Sequence, residues 1–224
     1  MYSSSPAALA DVSAGAVVLV SGFAGVGWPE SLLRALRTGG ANLLTLVCQG
    51  VWPDHADRGQ ASSVIEGLVA DGQVAKLISP ISFYPGNEGA VEGKWRSGDL
   101  ELEVIPQGVL AERIRAGGAG LGGVFLPVAA DTRFGQDKEV RSIEGRDHVF
   151  EPSLRADFAL LRARAADTMG NLVYQATQRN WNPSIAMAAQ VCIVEVDEIF
   201  EPGGLDPELV ITPGIFVDRI VQTV

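Results

Sequence analysis

The fold is decided by the stretch Ala16-Val17-Val18-Leu19-Val20, which is followed by the glycine-rich segment Ser21-Gly22-Phe23-Ala24-Gly25-Val26-Gly27. The first five residues are apolar and mostly β-branched, a composition typical of a strand that is buried on both faces. The glycines indicate a tight turn, and Pro29-Glu30 then predicts a helix start, because proline suits the first helical turn and an acid there complements the helix dipole. The stretch therefore predicts a β–α unit of a parallel sheet.

The same alternation of strand and helix continues along the chain. A hairpin of residues 140–143 and 147–150, turning at Glu144-Gly145, interrupts it. We therefore expect an α/β fold around a mostly parallel sheet, with a small antiparallel excursion. No repeat or low-complexity linker is visible, and residues 1–224 are expected to form a single domain. The predicted strands are residues 16–20, 43–48, 75–78, 100–105, 124–126, 158–161 and 192–196; the predicted helices are residues 29–38, a segment around Val64 and Leu68, and residues 109–116 and 183–189.

Composition excludes several classes of function. A formal net charge of −10 disfavours a surface for nucleic acid or for anionic lipid. Cys48 and Cys192 lie in or beside apolar runs, which indicates buried, inert thiols. His55 and His148 have no acidic or cysteine neighbours at ligand spacing, so no metal site is expected. The uncharged run of residues 12–29 has no basic residue before it and is broken by glycines, so it resembles neither a signal peptide nor a membrane span, and we expect a cytoplasmic protein.

The glycine loop could bind a ligand or simply turn the chain. A glycine loop that leads into a helix N-terminus can offer N–H donors to an anion. The dinucleotide fingerprint, however, reads G-x-G-x-x-G, whereas residues 22–27 read G-x-x-G-x-G. The second predicted strand also ends in Cys48-Gln49 instead of an acid. NAD binding is therefore disfavoured, and a plain tight turn and a ligand loop both stay open.

Several blocks, in one consistent order, point to a known family. The residues Gly22-Phe23, with Gly27-Trp28-Pro29-Glu30, resemble the glycine–phenylalanine loop of the A-type chains of CoA-transferases. The segment from Pro106-Gln107-Gly108 to Arg113 is similar to the family's P-Q-G-x-L-A-E-R pattern. Over nearly its whole length the chain resembles the A (alpha) subunit of family I CoA-transferases of the 3-oxoacid and 3-oxoadipate type. The further matching blocks are residues 157–160, 170–174, 179–182, 205–207 and 212–217.

This resemblance implies both a fold and a reaction. The fold is an open three-layer α/β/α sandwich related to sugar-phosphate isomerases. The reaction moves CoA from an acyl-CoA to a carboxylic acid, through a glutamate that forms an anhydride and then a CoA thioester. In the family that glutamate belongs to a B-type subunit, and its sequence context is absent here. Coenzyme A is then a substrate, no cofactor is bound permanently, and the partner is a B-type subunit in an α2β2 heterotetramer.

No catalytic nucleophile is therefore expected in this chain. Glu112, Glu144 and Glu195 are interpreted as a helix-surface charge, a hairpin-turn charge and a strand-end charge. The chain would instead contribute walls and hydrogen-bond donors to a site that its partner completes.

The first candidate among the site residues is Gln107, which lies between a predicted strand end and a helix start. There its amide could donate to a substrate carboxylate or to a developing oxyanion, or could simply fix the loop. Asn182 before Pro183 would also serve as an ordinary helix cap. Because open α/β sheets bind ligands at the carboxyl ends of their strands, the loops that carry these residues should converge. The full set of candidate substrate- and CoA-binding residues is Gly22, Phe23, Gly25, Gly27, Gln49, Gly50, Gln107 and Asn180.

Some positions depart from the family pattern. Ser21 replaces the first glycine of the usual pair, and Trp28 is bulkier than the common aliphatic residue. Ala129 and Asp131 stand where relatives have glycines, and an added carboxylate near a carboxylate-binding site would repel acid substrates. Two alternatives therefore stay open: a two-subunit hydrolase that opens a CoA thioester or a ring, and a non-catalytic CoA-binding subunit.

Overall fold

The computed structural model describes residues 1–51, 61–83, 85–86 and 89–223, with the side chains of residues 61–63 excepted. His55 lies outside the described residues. The α-helices are α1 Ser5–Ala8, α2 Glu30–Gly39, α3 Ala61–Ala70, α4 Ala90–Ser97, α5 Gln107–Gly118 and α6 Asn182–Ala188. The strands are β1 Val17–Val20, β2 Leu44–Val47, β3 Val74–Ser79, β4 Glu101–Val104, β5 Gly123–Leu126, β6 Val140–Ile143, β7 Arg146–Pro152, β8 Ala156–Asp167, β9 Leu172–Val173, β10 Ala189–Phe200 and β11 Arg219–Gln222. Short 3-10 helices occupy Ala176–Arg179, Pro207–Leu209 and Gly214–Phe216.

The main sheet is almost entirely parallel. Its strand order is β11-β10-β8-β1-β2-β3-β4, and among the described strands of this sheet only β9 pairs antiparallel, with β8. Val18 lies beside Phe158 and Val20 beside Leu160, so β8 continues seven residues beyond the last paired residue of β1, to Asp167. At the carboxyl end of β1, the longer strands β8 and β10 therefore extend beyond it on one side.

Alternation along the strands produces two cores, one on each face of the sheet. Val18 and Val20 of β1 face a core that includes residues of α1, α2, α3 and α4. Leu19 faces the opposite core, with residues of α5 and α6. Fully burying one such aliphatic side chain contributes roughly 1.5–3 kcal/mol. The predicted three-layer α/β/α sandwich is thus confirmed.

The antiparallel excursion is larger than the predicted hairpin. The pair β6 and β7 is confirmed, but β5 joins it in a three-stranded sheet of order β5-β7-β6. Residues 124–126 were predicted to continue the main alternation, which was wrong. Phe125 of β5 instead packs against Phe150 of β7, with ring centroids 5.3 Å apart. A short apolar run has no periodicity that could distinguish a parallel from an antiparallel partner.

The connections of β1 and β8 leave the sheet on opposite faces. The chain passes from β1 to α2 on one face, and from β8 through Ala176–Arg179 to α6 on the other. Such a change of direction between neighbouring parallel strands creates a crevice at their carboxyl ends, where open α/β sheets bind ligands. Among the described residues, no helix has both the length and the apolar character needed to cross a membrane.

Candidate active site

Three carboxamide side chains from separate parts of the sequence meet at the carboxyl end of the sheet. Gln49 follows β2, Gln107 is the first residue of α5, and Asn180 lies between Ala176–Arg179 and α6. Gln49 Nε2 donates a hydrogen bond to Asn180 Oδ1, and Gln107 Nε2 donates to Gln49 Oε1 over a long 3.5 Å. The structure therefore brings together three residues that the sequence had placed at the site. We refer to them as the amide cluster.

One backbone N–H fixes the polarity of the amide cluster. The N–H of Trp181 can only donate, and it lies 2.8 Å from Asn180 Oδ1, so this atom is the acceptor oxygen. Gln49 must then donate to Asn180 with its nitrogen, which leaves its own oxygen to accept from Gln107. Both described bonds of Asn180 use Oδ1, and no described residue accepts from its Nδ2. The cluster therefore presents the Nδ2 donors of Asn180 at one end, which suit a carboxylate or a developing oxyanion, while at the other end Gln107 keeps one N–H of its Nε2 and its Oε1.

Burial differs across the amide cluster. Gln49 is 2% exposed, Asn180 is half-buried, and Gln107 is exposed at the start of its helix. A buried carboxamide must satisfy its polar atoms with partners, so Gln49 is held as the internal link between the other two. Gly50 is also buried, and the Cys48 thiol lies 3.7 Å from the Gly50 carbonyl oxygen. Burial raises the pKa of Cys48 to about 11, so this thiol is no nucleophile at neutral pH.

The glycine loop is a closed turn that needs glycine at its first position. Phe23 and Val26 exchange two backbone hydrogen bonds of 3.0 and 2.9 Å. Gly22 has φ 108°, and a Cβ there would lie 2.5 Å from the buried Trp28 ring. The Ser21 hydroxyl donates to the Gly27 carbonyl at 3.0 Å and accepts the N–H of Arg162 at 3.3 Å. Ser21 therefore closes the loop and ties it to β8, which gives this departure from the family pattern a physical reason.

The glycine loop reaches the amide cluster through Gln178. Gly27 has φ 73°, and a Cβ there would lie 3.2 Å from the Gln178 carbonyl oxygen, so the two backbones pack closely. Gln178 precedes Asn180 by two residues. The loop that contains the predicted residues Gly22, Phe23, Gly25 and Gly27 thus packs against the segment that carries Asn180. The sequence had not indicated Gln178 at all.

Asn182 does not cap its helix. Trp181 occupies the N-cap position of α6 without a side-chain cap bond. The Asn182 Nδ2 instead donates to the carbonyl oxygens of Arg162 and Gln178, at 2.8 and 3.0 Å. The cap interpretation was therefore wrong, because the side chain turns inward and fastens β8 to the segment that carries Asn180.

Glu195 corrects a second interpretation. It was predicted as a strand-end charge, but it is buried within β10, paired with Arg162 at 3.1 Å. Its carboxylate accepts the N–H of Leu32 at 2.9 Å, so the N-terminal end of α2 already binds an anion from within the chain. Burial raises the pKa of Glu195, and the Leu32 N–H and Arg162 oppose that rise. The glycine loop and α2 therefore do not form an open phosphate cradle.

A cavity of about 600 Å³ lies on the Glu195 side of the glycine loop. Three carboxylates line it against one guanidinium, that of Arg162, so its charge is unfavourable for the diphosphate of a CoA molecule. The amide cluster carries no formal charge, so it lacks the carboxylates that make the cavity unfavourable for an anion. The cavity is lined by Gly25, Gly27, Trp28, Glu30, Ser31, Arg162, Gln178, Glu195, Asp197 and Thr223.

Glu112, Glu144 and Asp131 lie on the surface. Glu112 is paired with Arg115 on α5 and Glu144 lies in the exposed hairpin turn, as predicted. Ala129 has φ 73°, the left-handed conformation that glycine favours, and Asp131 follows in the same exposed turn. Within the described parts of the chain no group of three or more His, Cys, Asp or Glu side chains could hold a metal ion.

Comparison with known proteins identifies the family. Residues 2–223 match the family described as Coenzyme A transferase. The chain is 43% identical over 221 residues to the A chain of the succinyl-CoA:3-ketoacid coenzyme A transferase of Xanthomonas campestris pv. campestris strain B100, covering 98% of this chain and 87% of that one. It is 41% identical over 221 residues to the A chain of the 3-oxoadipate CoA-transferase of Pseudomonas putida, covering 98% and 92%.

A solved structure supports the same fold. A variant of the decarboxylase AibA/AibB aligns with a TM-score of 0.80 at 26% identity, covering all of this chain and 82% of that one. The fold and these similarities agree. The chain therefore belongs to the coenzyme A transferase family and is the A-type component of a heteromeric transferase.

Proposed function

We propose that this chain forms the donor half of a CoA-transferase site, in which its amide cluster holds the reacting acyl group while a B-type subunit supplies the glutamate. The observation that carries the proposal is the fixed orientation of Gln49 and Asn180, which leaves the Nδ2 donors of Asn180 and one N–H of Gln107 Nε2 without a described acceptor. No described acidic side chain is hydrogen-bonded to any of the three. A set of donors without a nucleophile is what one half of a shared site would contain.

The chemistry follows from where negative charge develops. The partner's glutamate carboxylate attacks the thioester carbonyl, the carbon–sulfur bond breaks, and CoA thiolate leaves behind an acyl–glutamyl anhydride. The thiolate then attacks the glutamyl carbonyl, which releases the free acid and leaves a glutamyl–CoA thioester. The acceptor acid reverses both steps. Each attack places charge on a carbonyl oxygen, and one well-placed donor there is worth roughly 2.7–4 kcal/mol.

We infer the substrates from the relatives. One of them is named for succinyl-CoA and a 3-ketoacid, and another for 3-oxoadipate, at 43% and 41% identity. We propose succinyl-CoA as the CoA donor and a 3-oxoacid as the acceptor. Asp131, which raised doubt about acid substrates, lies in an exposed turn and has no described bond to the amide cluster.

The partner is proposed to be a B-type subunit, in a cytoplasmic heterotetramer with two copies of each chain. The relatives are themselves named as the A components of their enzymes, which supports a second kind of chain. A shared active site requires a permanent contact, and interfaces of that kind bury more than about 2,000 Å². Size-exclusion chromatography of the co-expressed pair should then show one species at micromolar concentration, and two separate peaks would contradict the assembly.

The deciding experiment measures CoA transfer by this chain, by its B-type partner and by their mixture. Succinyl-CoA serves as donor, and acetoacetate, 3-oxoadipate and acetate as acceptors. We expect negligible transfer by either chain alone and full transfer by the mixture, with a 3-oxoacid preferred. Release of free CoA without an acceptor would indicate a hydrolase instead.

Because a decarboxylase shares this fold at 26% identity, loss of carbon dioxide from the acyl-CoA is measured in parallel. Normal activity of the partner alone would reduce this chain to a non-catalytic component.

A further inference from the structure

Asn180 adopts a backbone conformation that favours glycine. Its dihedral angles are φ 44° and ψ −131°. In that region a Cβ is crowded by the backbone, whereas glycine enters it freely. The neighbouring loop uses glycine at three positions of positive φ, Gly22, Gly25 and Gly27. The fold is therefore less stable with asparagine at position 180 than it would be with glycine. Backbone strain of this kind concentrates at functional sites.

The local structure does not account for this choice. The entry to α6 is fastened by Asn182, which is fully buried and bonded to two carbonyl oxygens. Trp181 is the N-cap residue of α6 and uses no side-chain cap. The Asn180 side chain instead accepts two bonds at Oδ1, from the Trp181 N–H and from Gln49. These two bonds fix the rotation of the carboxamide and direct both N–H bonds of Nδ2 away from them.

We propose that Asn180 is a second catalytic donor, whose Nδ2 hydrogen-bonds to the oxygen of the reacting acyl group. The strained backbone places the side chain at the site, and the Trp181 N–H fixes which end of the amide faces the ligand. Gln107 lies on the other side of Gln49 and donates to its Oε1, so the second N–H of Gln107 Nε2 remains as the first donor to the acyl group. This inference rests on the proposed transferase function.

Three variants of the assembled complex test the proposal. Asn180→Asp keeps the shape and both acceptor bonds at Oδ1, but removes the Nδ2 donors and adds an anion. Asn180→Ala removes the side chain and keeps the strained backbone. Asn180→Gly removes the same side chain and relieves the strain. Each is measured for kcat and KM with succinyl-CoA and acetoacetate, and for its melting temperature.

We expect Asn180→Asp to lose at least about a hundredfold in kcat, the effect of losing one such donor, with little change in melting temperature. The Gly variant should melt about 2–4 °C above the Ala variant, while both share the same low kcat. The Gly and Ala variants would then differ in melting temperature but not in kcat.

Two results would overturn the proposal. One is an Asn180→Asp complex whose kcat stays within twofold of that of the original sequence. The other is a Gly variant that recovers activity over the Ala variant, which would mean that Asn180 serves only the backbone. Failure of the transferase proposal itself is a separate outcome, because the unaltered complex would then transfer no CoA.

Discussion

Replacing Arg162 by methionine should destabilise the fold through Glu195. The side chain of Glu195 is 2% exposed and that of Arg162 is 20% exposed, with 3.1 Å between their charged atoms. Removing one partner of a buried ion pair costs about 3–5 kcal/mol, because the other charge stays buried and unpaired. The Leu32 N–H still binds Glu195, and Asp197, whose side chain is 42% exposed, returns to water. We therefore expect the lower end, about 3 kcal/mol, or a melting temperature about 6–12 °C lower.

The loss should depend on pH in a definite direction. Burial already raises the pKa of Glu195, and losing Arg162 raises it further. A carboxyl group whose pKa is higher in the folded than in the unfolded state destabilises the fold at any pH above its folded-state pKa. This destabilisation disappears below its unfolded-state pKa, which is about 4.3 for glutamate. The deficit of Arg162→Met relative to the original sequence should therefore shrink as pH falls from about 8 towards 5.

Urea unfolding, followed by tryptophan fluorescence at several pH values, measures this deficit. Adding Glu195→Gln to the variant should restore most of the lost free energy, because no charge then stays buried. Arg164→Met is the matched control: Arg164 is exposed on the same strand, so its loss should change stability by only about 0.5 kcal/mol. A deficit below about 1 kcal/mol, or one that does not vary with pH, would refute this account of Glu195.

Three further perturbations test other parts of the structure. Gln107→Glu in the assembled complex should lower kcat about a hundred- to thousandfold, with an unchanged melting temperature, because it replaces a donor by an anion; near-normal kcat would make Gln107 a loop-fixing amide. Ala129→Gly should raise the melting temperature by about 1–4 °C by relieving φ 73°, whereas Ala130→Gly, at ordinary φ, should lower it. Cys48 and Cys192 should resist maleimide at pH 7 until the protein is unfolded, because burial raises the pKa of both thiols; rapid labelling of the native protein would contradict their burial.

Most of the fold could be predicted because its signals are local. Adjacent residues alone are enough to predict a strand from the apolar run of residues 16–20 and a helix start from the proline that follows. The partner of β5 could not be read in this way, since it depends on the packing of Phe125 against Phe150, 25 positions away in sequence. Helix α4 was missed because it has only eight residues, includes Gly93, and buries only Val91 and Glu92.

The sequence selected the members of the amide cluster but not their arrangement. Resemblance to a family selected Gln107, Gln49 and Asn180, and strand ends explained why they could meet. The polarity of the amide cluster depends on the backbone N–H of Trp181, and the strain at Asn180 depends on its φ angle. Neither can be inferred from composition or residue spacing. Glu195 was misjudged because the burial of an acid depends on its partner, here Arg162, 33 residues earlier.

The central claim is that this chain holds the acyl group while its partner forms the covalent bond. Intact-mass spectrometry of both chains, after the complex has been incubated with succinyl-CoA and rapidly quenched, tests this claim directly. The account predicts that the B-type subunit gains the mass of a CoA thioester and that the mass of this chain is unchanged. A CoA adduct on this chain, located to any of its acids, would contradict it.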